Sequence, residues 1–228
     1  MKKISIIQSN YLPWKGYFDI INSSHEFIIY DKVQFTKNDW RNRNKIIMNG
    51  LPKWITIPVK HDFGQMIYDV QVASEDWRIK HWDLIFQSYR NAKCFKDIAK
   101  WLEQIYLDCD SRKLSSINKQ FIIGICDYLD VPTVILDGKD FDFKSKCRTQ
   151  RLIDICLARE ADIYVTGPSA MFYLDLDLFK KHDIRIEVYN YDNYKEYEQS
   201  GEYFDNFVSI IDLLFNEGKR SKFFMKSF

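Results

Sequence analysis

Residues 4–7 form a short run dominated by Ile4, Ile6 and Ile7, and the alternation that this run begins most constrains the fold. A β-branched run of that length reads as a buried strand. Polar residues and Pro13 stop it at once, and an apolar pattern resumes at Trp14, Phe18 and Ile21 with roughly helical spacing. A strand feeding directly into a helix opens a βαβ unit. The pattern recurs. Residues 26–31 read as a second strand ending in Asp31, and residues 131–136 as a third, since Pro132 is tolerated at a strand's beginning. Residues 162–166 and 184–188 supply two more, with a helix at about 149–159 and an apolar helical stretch after Ser169. Strands alternating with helices predict an α/β fold, a mostly parallel sheet with helices on both faces.

Between the second and third strands the pattern departs from this scheme. Residues 45–48 and 54–59 flank Asn49-Gly50, the preferred type I′ turn pair, and predict a β-hairpin standing outside the sheet. Residues 70–73 predict one further short strand. From residue 76 the period becomes helical: Trp77, Ile79, Trp82, Ile85, Phe86 and Tyr89 form a stripe, with Ser74 or Asp76 as N-cap. Helices follow at about 95–107 and 114–129, and an amphipathic one at 207–215 is stopped by Gly218. Without an internal repeat, a low-complexity segment or a dividing linker, the chain is expected to be one α/β domain. It carries a hairpin insertion at about 45–60 and a helical block at about 76–129.

Composition narrows the function. A chain of 228 residues can bury a sizeable core. Its net charge of +1 gives no global field to recruit nucleic acid or an anionic surface, so any anion site must be a local cluster. No apolar run approaches the roughly 20 residues of a membrane span, and no signal-peptide core follows Lys2-Lys3; a cytoplasmic location is the expectation. Cys94, Cys109, Cys126, Cys147 and Cys156 are scattered, with no CxxC pair and no histidine at ligand spacing, so free thiols and no metal site are expected. A homo-oligomer is compatible with everything here.

Four polar clusters fall where strands end, and in an open α/β sheet ligands bind outside the carboxyl ends of the strands. The first holds Gln8, Asn10 and Lys15 beside Tyr11, Trp14 and Tyr17, aromatics that could stack on a ligand or simply cap a core. The second joins Asp31 to Gln34, Arg41, Arg43 and Lys45. The third is Lys144, Lys146, Arg148, Gln150 and Arg151, either an ordinary basic helix start or, because like charge there opposes the helix dipole, the seat of a bound anion. The fourth is Thr166-Gly167-Pro168-Ser169, a turn offering backbone N–H groups to an anion. Arginines near such a turn suit bidentate phosphate recognition. Together the clusters predict a phosphorylated or diphosphate-containing ligand.

For acid–base chemistry the candidates are Asp19, Asp31 and His81; Asp31, at a strand end before a basic loop, is the better placed. His25, His61 and His182 carry no site argument. Walker A, G-x-G-x-x-G, G-x-S-x-G and H-E-x-x-H motifs are all missing, which removes support from P-loop, nicotinamide-linked, serine hydrolase and zincin readings.

The run Gln8-Ser9-Asn10-Tyr11-Leu12-Pro13-Trp14-Lys15-Gly16-Tyr17-Phe18 resembles the opening of the WbqC-like family, which typically begins His-Gln-Pro-Asn-Tyr-Leu-Pro-Trp. The likeness continues at residues 31–35 and 40–46, and resumes at His81, residues 148–155, residues 164–169 and residues 209–218. Ile7 stands where the family usually has His, and Ser9 where it has Pro. A catalytic role for that His is therefore not carried over. The resemblance implies a place in O-antigen or other surface polysaccharide synthesis and a nucleotide-linked sugar as ligand. It also implies a small acyl or aminoacyl group, glycyl among them, delivered to an amino sugar from an activated donor that the sequence does not name. On that expectation Arg41, Arg43, Arg148 and Arg151 hold phosphates or a carboxylate, Tyr11, Trp14 and Tyr17 stack on base or sugar, and Asp31 or His81 takes the amine's proton. The rival readings are a non-catalytic nucleotide-sugar binding or scaffold protein, and a nucleotidyl-transfer enzyme. The strand–turn–helix opening also resembles the HxGH nucleotidyltransferases, in architecture only.

Overall fold

The computed structural model describes residues 1–142 and 145–228. Its centre is a five-stranded, wholly parallel sheet of β1 (Lys3–Ile7), β2 (Glu26–Ile29), β7 (Val134–Asp137), β8 (Ile163–Thr166) and β9 (Arg185–Val188). In space the strands run β7-β2-β1-β8-β9. The chain thus builds outward from β1 to one edge through β2 and β7, then returns to β1's other side and builds outward again through β8 and β9. That is the doubly wound order, with the reversal between β1 and β8.

The strands are short and apolar because both of their faces are covered. In β2, Phe27 and Ile29 join one core cluster while Ile28, with Tyr30 just beyond, joins the other. The first cluster is filled from α1 (Lys15–Asn22) by Phe18, Ile20 and Ile21, and from α4 (Leu114–Tyr128) by Phe121, Ile122 and Ile125. The second takes Leu152, Ile153 and Cys156 from α5 (Arg148–Ala158) and Phe179 from α6 (Leu176–Lys181). Burying each of these phenylalanines stabilises the fold by roughly 2–3 kcal/mol.

The excursion between β2 and β7 has the expected parts. The hairpin of β3 (Arg43–Met48) and β4 (Leu51–Thr56) turns at Asn49 and Gly50, whose φ values of +51° and +75° are those of a type I′ turn. The predicted residues 70–73 contain β6 (Gln71–Val72), which pairs with β5 (Val59–Lys60) in a second small antiparallel ribbon. Helices α2 (Trp77–Tyr89), α3 (Phe95–Leu107) and α4 follow. Neither candidate caps α2 with its side chain; the Ser74 hydroxyl bonds the Asp76 carboxylate instead.

Two expectations need correction. The last helix, α7 (Ile210–Glu217), is buried nearly all round rather than amphipathic, because it threads between α3 and β3. Even Asp212 is fully enclosed, taking hydroxyl hydrogens from Tyr89 (2.9 Å) and Tyr197 (2.7 Å) and an amide hydrogen from Gln199 (2.7 Å). The third parallel strand begins at Val134 rather than residue 131. Thr133 spends its hydroxyl on the carbonyls of Ile21 and Ser24, and Val131 closes the end of α4 by donating to the Cys126 carbonyl.

Candidate functional site

At the carboxyl ends of β1, β2 and β8 lies a cavity of about 900 Å³, at the reversal of strand order. In doubly wound sheets this is where the two halves diverge and leave a crevice. Its floor is Ile6, Ile7 and Gln8 from the end of β1, Tyr30 beyond β2, and Tyr164 and Thr166 of β8. A volume of this size holds a drug-sized or nucleotide-sized ligand.

Much of the opening segment forms the wall. Gln8, Asn10, Trp14 and Tyr17 all line the cavity. Residues 8–12 are held there by hydrogen bonds that converge from the rest of the chain. Tyr17 donates its hydroxyl hydrogen to the Gln8 carbonyl (3.0 Å), and Asn44 donates its side-chain amide to the Leu12 carbonyl (2.7 Å). Ser9 gives both its backbone N–H (2.9 Å) and its hydroxyl hydrogen (2.7 Å) to the Asp31 carboxylate. Ser115 on α4 donates to the same carboxylate, and Asn118 donates to the Ser9 hydroxyl (3.0 Å). Proline at residue 9, the family's usual choice, would have no N–H for Asp31, so serine brings a connection of its own.

Arg41 leans over this loop. Its guanidinium donates to the Ser9 carbonyl (3.2 Å) and to the Asn10 side-chain oxygen, and it also lines the cavity. Gln34 reaches the wall through an isolated antiparallel bridge to Met66. On the opposite side stand Arg148 and Arg151 of α5, with Gly167 and Ser169 from the turn after β8. Arg151 anchors its own approach segment, donating to the Ser145 carbonyl at 2.8 Å. The Arg148 side chain has no hydrogen-bond or ion-pair partner among the described residues, nor does that of Lys146, which also lines the cavity. α5 begins there with neither a capping side chain nor an acidic residue in its first turn. Lys144 lies outside the described residues.

Other expected site residues lie elsewhere. Tyr11 is fully buried in the core, donating its hydroxyl hydrogen to His81 Nδ1 (2.9 Å) and accepting from Tyr106. His81 is enclosed with it on α2; its Nε2 faces the Thr56 carbonyl at 3.2 Å, so Nε2 carries the hydrogen and Nδ1 accepts. Burial lowers the His81 pKa to about 4, which keeps the ring neutral. Asp31 is equally shut in, its carboxylate shared among Ser9 and Ser115, and burial outweighs those bonds and raises its pKa. Neither Asp31 nor His81 lines the cavity, so in this arrangement neither faces a group bound there. Asp19, on α1, is buried against the C-terminal segment and accepts from Ser227, Lys226 and Tyr194.

Lys15 points away from the cleft too. Its ammonium lies 4.6 Å from the Tyr194 ring centre and donates to the Lys195 carbonyl, with burial lowering its pKa to about 8. Arg43 stacks on Trp54 at 4.3 Å, and Lys45 pairs with Asp205 at 2.5 Å. The side chains of those basic residues are thus spent within the protein.

Sequence reasoning did not single out Lys32, Tyr30, Tyr173 and Tyr191, all of which line the cavity. Lys32 and Tyr30 could have been found, since they flank Asp31 at a strand's carboxyl end. Tyr191 lies in an irregular stretch after β9 and carries no such signal; only packing against Trp14, at 4.9 Å between ring centres, brings it in. Among the described residues, the lining therefore gathers five cations (Lys32, Arg41, Lys146, Arg148, Arg151) against a single carboxylate, Asp39.

The model of the WbqC-like protein family matches residues 8–223. A Mycobacterium tuberculosis (strain ATCC 25618 / H37Rv) relative, called uncharacterized protein Rv1507c, is 41% identical over 228 residues, covering 99% of this chain and 98% of its own length. The chain belongs to the WbqC-like protein family.

Proposed function

We propose that the cleft binds a nucleotide-linked amino sugar and that the protein transfers a small acyl or aminoacyl group, such as glycyl, to the sugar's amine. One observation carries this reading: among the described residues, five cations and a set of tyrosines converge on one cavity at the switch point of the sheet, with one carboxylate among them. Paired phosphates suit the arginines and the turn amides of Gly167 and Ser169. Rings suit Trp14, Tyr173 and Tyr191. In the transfer the amine nitrogen bonds to the donor's acyl carbon, the donor's leaving group departs with the electron pair of the broken bond, and the amine's proton passes to solvent. An amine attacks as its free base, and neighbouring cations disfavour its protonated form. The charge of the cleft thus supports the reaction without Asp31 or His81. The family resemblance supports a role in O-antigen or other surface polysaccharide synthesis, and the scattered cysteines support a cytoplasmic location for it.

A second reading, a non-catalytic nucleotide-sugar binding protein of the same kind of pathway, is favoured by a specific feature. Both expected bases are buried away from the cleft, and Ile7 lines it where the family usually has His. Thermal shifts against nucleotides, nucleoside-diphosphate sugars and nucleotide-linked amino sugars, with and without Mg²⁺, separate the readings. A ligand that binds only the native state raises stability by roughly 2.7 kcal/mol at a hundredfold excess over Kd. Selective stabilisation by an amino-sugar nucleotide, followed by acyl transfer to it in donor trials, is the expected outcome. Binding without turnover under any donor supports the second reading. Stabilisation by nucleoside triphosphate with Mg²⁺ alone would replace both with nucleotidyl chemistry.

A further inference from the structure

Beside the cleft lies a smaller pocket of about 180 Å³, lined by Asn10, Pro13, Trp14, Trp40, Asn44 and Phe207. Asn10 and Trp14 line both cavities, so the two share a wall. At roughly 30 Å³ per water molecule the pocket has room for about six waters, which suits a single ring and excludes a whole nucleotide. Among the described residues, no charged one lines it. It therefore offers nothing to a phosphate. Nor does it suit an ammonium, because Arg41 bonds Asn10 and Arg43 sits on Trp54 immediately behind Trp40.

The aromatic surfaces are held in place before any ligand arrives. Trp14 is braced by Tyr191 (4.9 Å) and Phe207 (5.1 Å). Its ring also lies over Gly16 so closely that a Cβ there would sit 2.4 Å from it. Trp40 is backed by Trp54 at 5.3 Å, yet remains 39% exposed, and Phe207 is 57% exposed. Large aromatics fixed by neighbours and left open on one side form a stacking platform. The polar complement is Asn10. Because Arg41 donates to its oxygen, the Asn10 amide nitrogen is left with no partner among the described residues, free to donate to a ring carbonyl or ring nitrogen. Asn44 has no such freedom, its amide being committed to Tyr11, Leu12 and Lys45.

Resting on the reading of the cleft as a nucleotide-linked sugar site, we infer that this side pocket is the nucleobase subsite. The base stacks between Trp14 and Trp40, bonds Asn10, and leaves the diphosphate and sugar to the basic cleft. The occupant is a neutral planar heterocycle, which makes the pocket the part of the site that tells one nucleoside diphosphate from another.

The test is titration of the full chain with inorganic pyrophosphate and with uridine, cytidine, thymidine and guanosine diphosphates, repeated on Trp40→Ala and Phe207→Leu. At least one nucleoside diphosphate should bind the parent chain about tenfold or more tightly than pyrophosphate, the scale of one base stacked on an aromatic side chain. Trp40→Ala should remove that advantage while leaving pyrophosphate affinity unchanged, and Phe207→Leu should reduce it. Trp40 is surface-exposed, and an unchanged melting midpoint confirms that its variant is folded. Equal affinity for pyrophosphate and every nucleoside diphosphate overturns the subsite and leaves the basic cleft standing, as does a nucleoside advantage that survives both substitutions. Failure of pyrophosphate and all the diphosphates to bind overturns the cleft reading together with this one.

Discussion

Gly16 shows how a single residue can act on the cleft. Alanine in a helix interior is favoured over glycine by up to about 1 kcal/mol, but here its Cβ would meet the Trp14 ring at 2.4 Å. Overpacking costs roughly 1–3 kcal/mol, so the clash wins. Gly16→Ala should destabilise the protein by about 1 kcal/mol, shift its tryptophan fluorescence and weaken ligand binding through the displaced Trp14; tighter binding would contradict that placement. His81 gives a pH prediction. Its folded pKa of about 4 lies below the usual 6.5, so between those values the unfolded chain binds the proton and the folded chain does not. The His81 contribution to stability is therefore complete above about pH 6.5 and is lost as pH falls toward 4, about 3 kcal/mol at 1.36 kcal/mol per unit. Denaturant melts across that range should show the fall, and His81→Gln, which can keep a donor to Thr56, should lack that share of it.

Between elements, Asp31 is the connector. From the end of β2 it holds the loop leaving β1 and the start of α4 through Ser9 and Ser115. Asp31→Ala leaves the buried Ser9 N–H without an acceptor, and each buried group so orphaned costs about 1–3 kcal/mol. A loss of about 3 kcal/mol is expected, with weaker pyrophosphate binding because Gln8, Asn10 and Arg41 shift with the loop. Asp31→Asn keeps an oxygen for Ser9 and should retain most of both. A catalytic base would instead give an asparagine variant that is as stable but has no turnover, and kinetics on the two variants beside their melts decide it.

Across the whole molecule, the C-terminal segment is tied back to α1 at Asp19. This residue of α1 accepts from the backbone of Lys226 (2.9 Å) and Ser227 (2.9 Å) and from the Ser227 hydroxyl (2.7 Å), while Tyr194 donates to its other oxygen (2.6 Å). The segment so pinned, residues 189–228, also supplies Tyr191 and Phe207 to the two cavities. Asp19→Ala should therefore cost about 3 kcal/mol and loosen nucleotide binding, seen as faster amide exchange at residues 225–228. Normal exchange there would refute the pinning role. Because net charge is only +1, attraction of an anionic ligand is a property of the cleft alone. Its affinity should fall with added salt, as exposed charges are screened beyond about 10 Å at 0.1 M.

The order of elements was legible in the amino-acid sequence, because a strand buried on both faces must be a short aliphatic run and an amphipathic helix must repeat near every fourth residue. Asn49-Gly50 likewise wrote its turn locally, through two residues that accept positive φ. Gln8, Asn10, Arg41, Arg148, Arg151 and Gly167 could be picked out because loops at strand ends carry more polar chemistry than connectors need, and all six line the cavity. The direction of a side chain is not written in its own neighbourhood. Lys15 and Arg41 are both cations beside aromatics, yet Lys15 turns to Tyr194 while Arg41 bends over the loop. Asp31 and His81 have the residue types of a catalytic pair and are sealed in hydrogen-bond networks away from the cleft. Those outcomes, with the entry of Tyr191 and Phe207 from the far end of the chain, depend on which long-range partners satisfy each buried polar group. Only the assembled tertiary structure decides that.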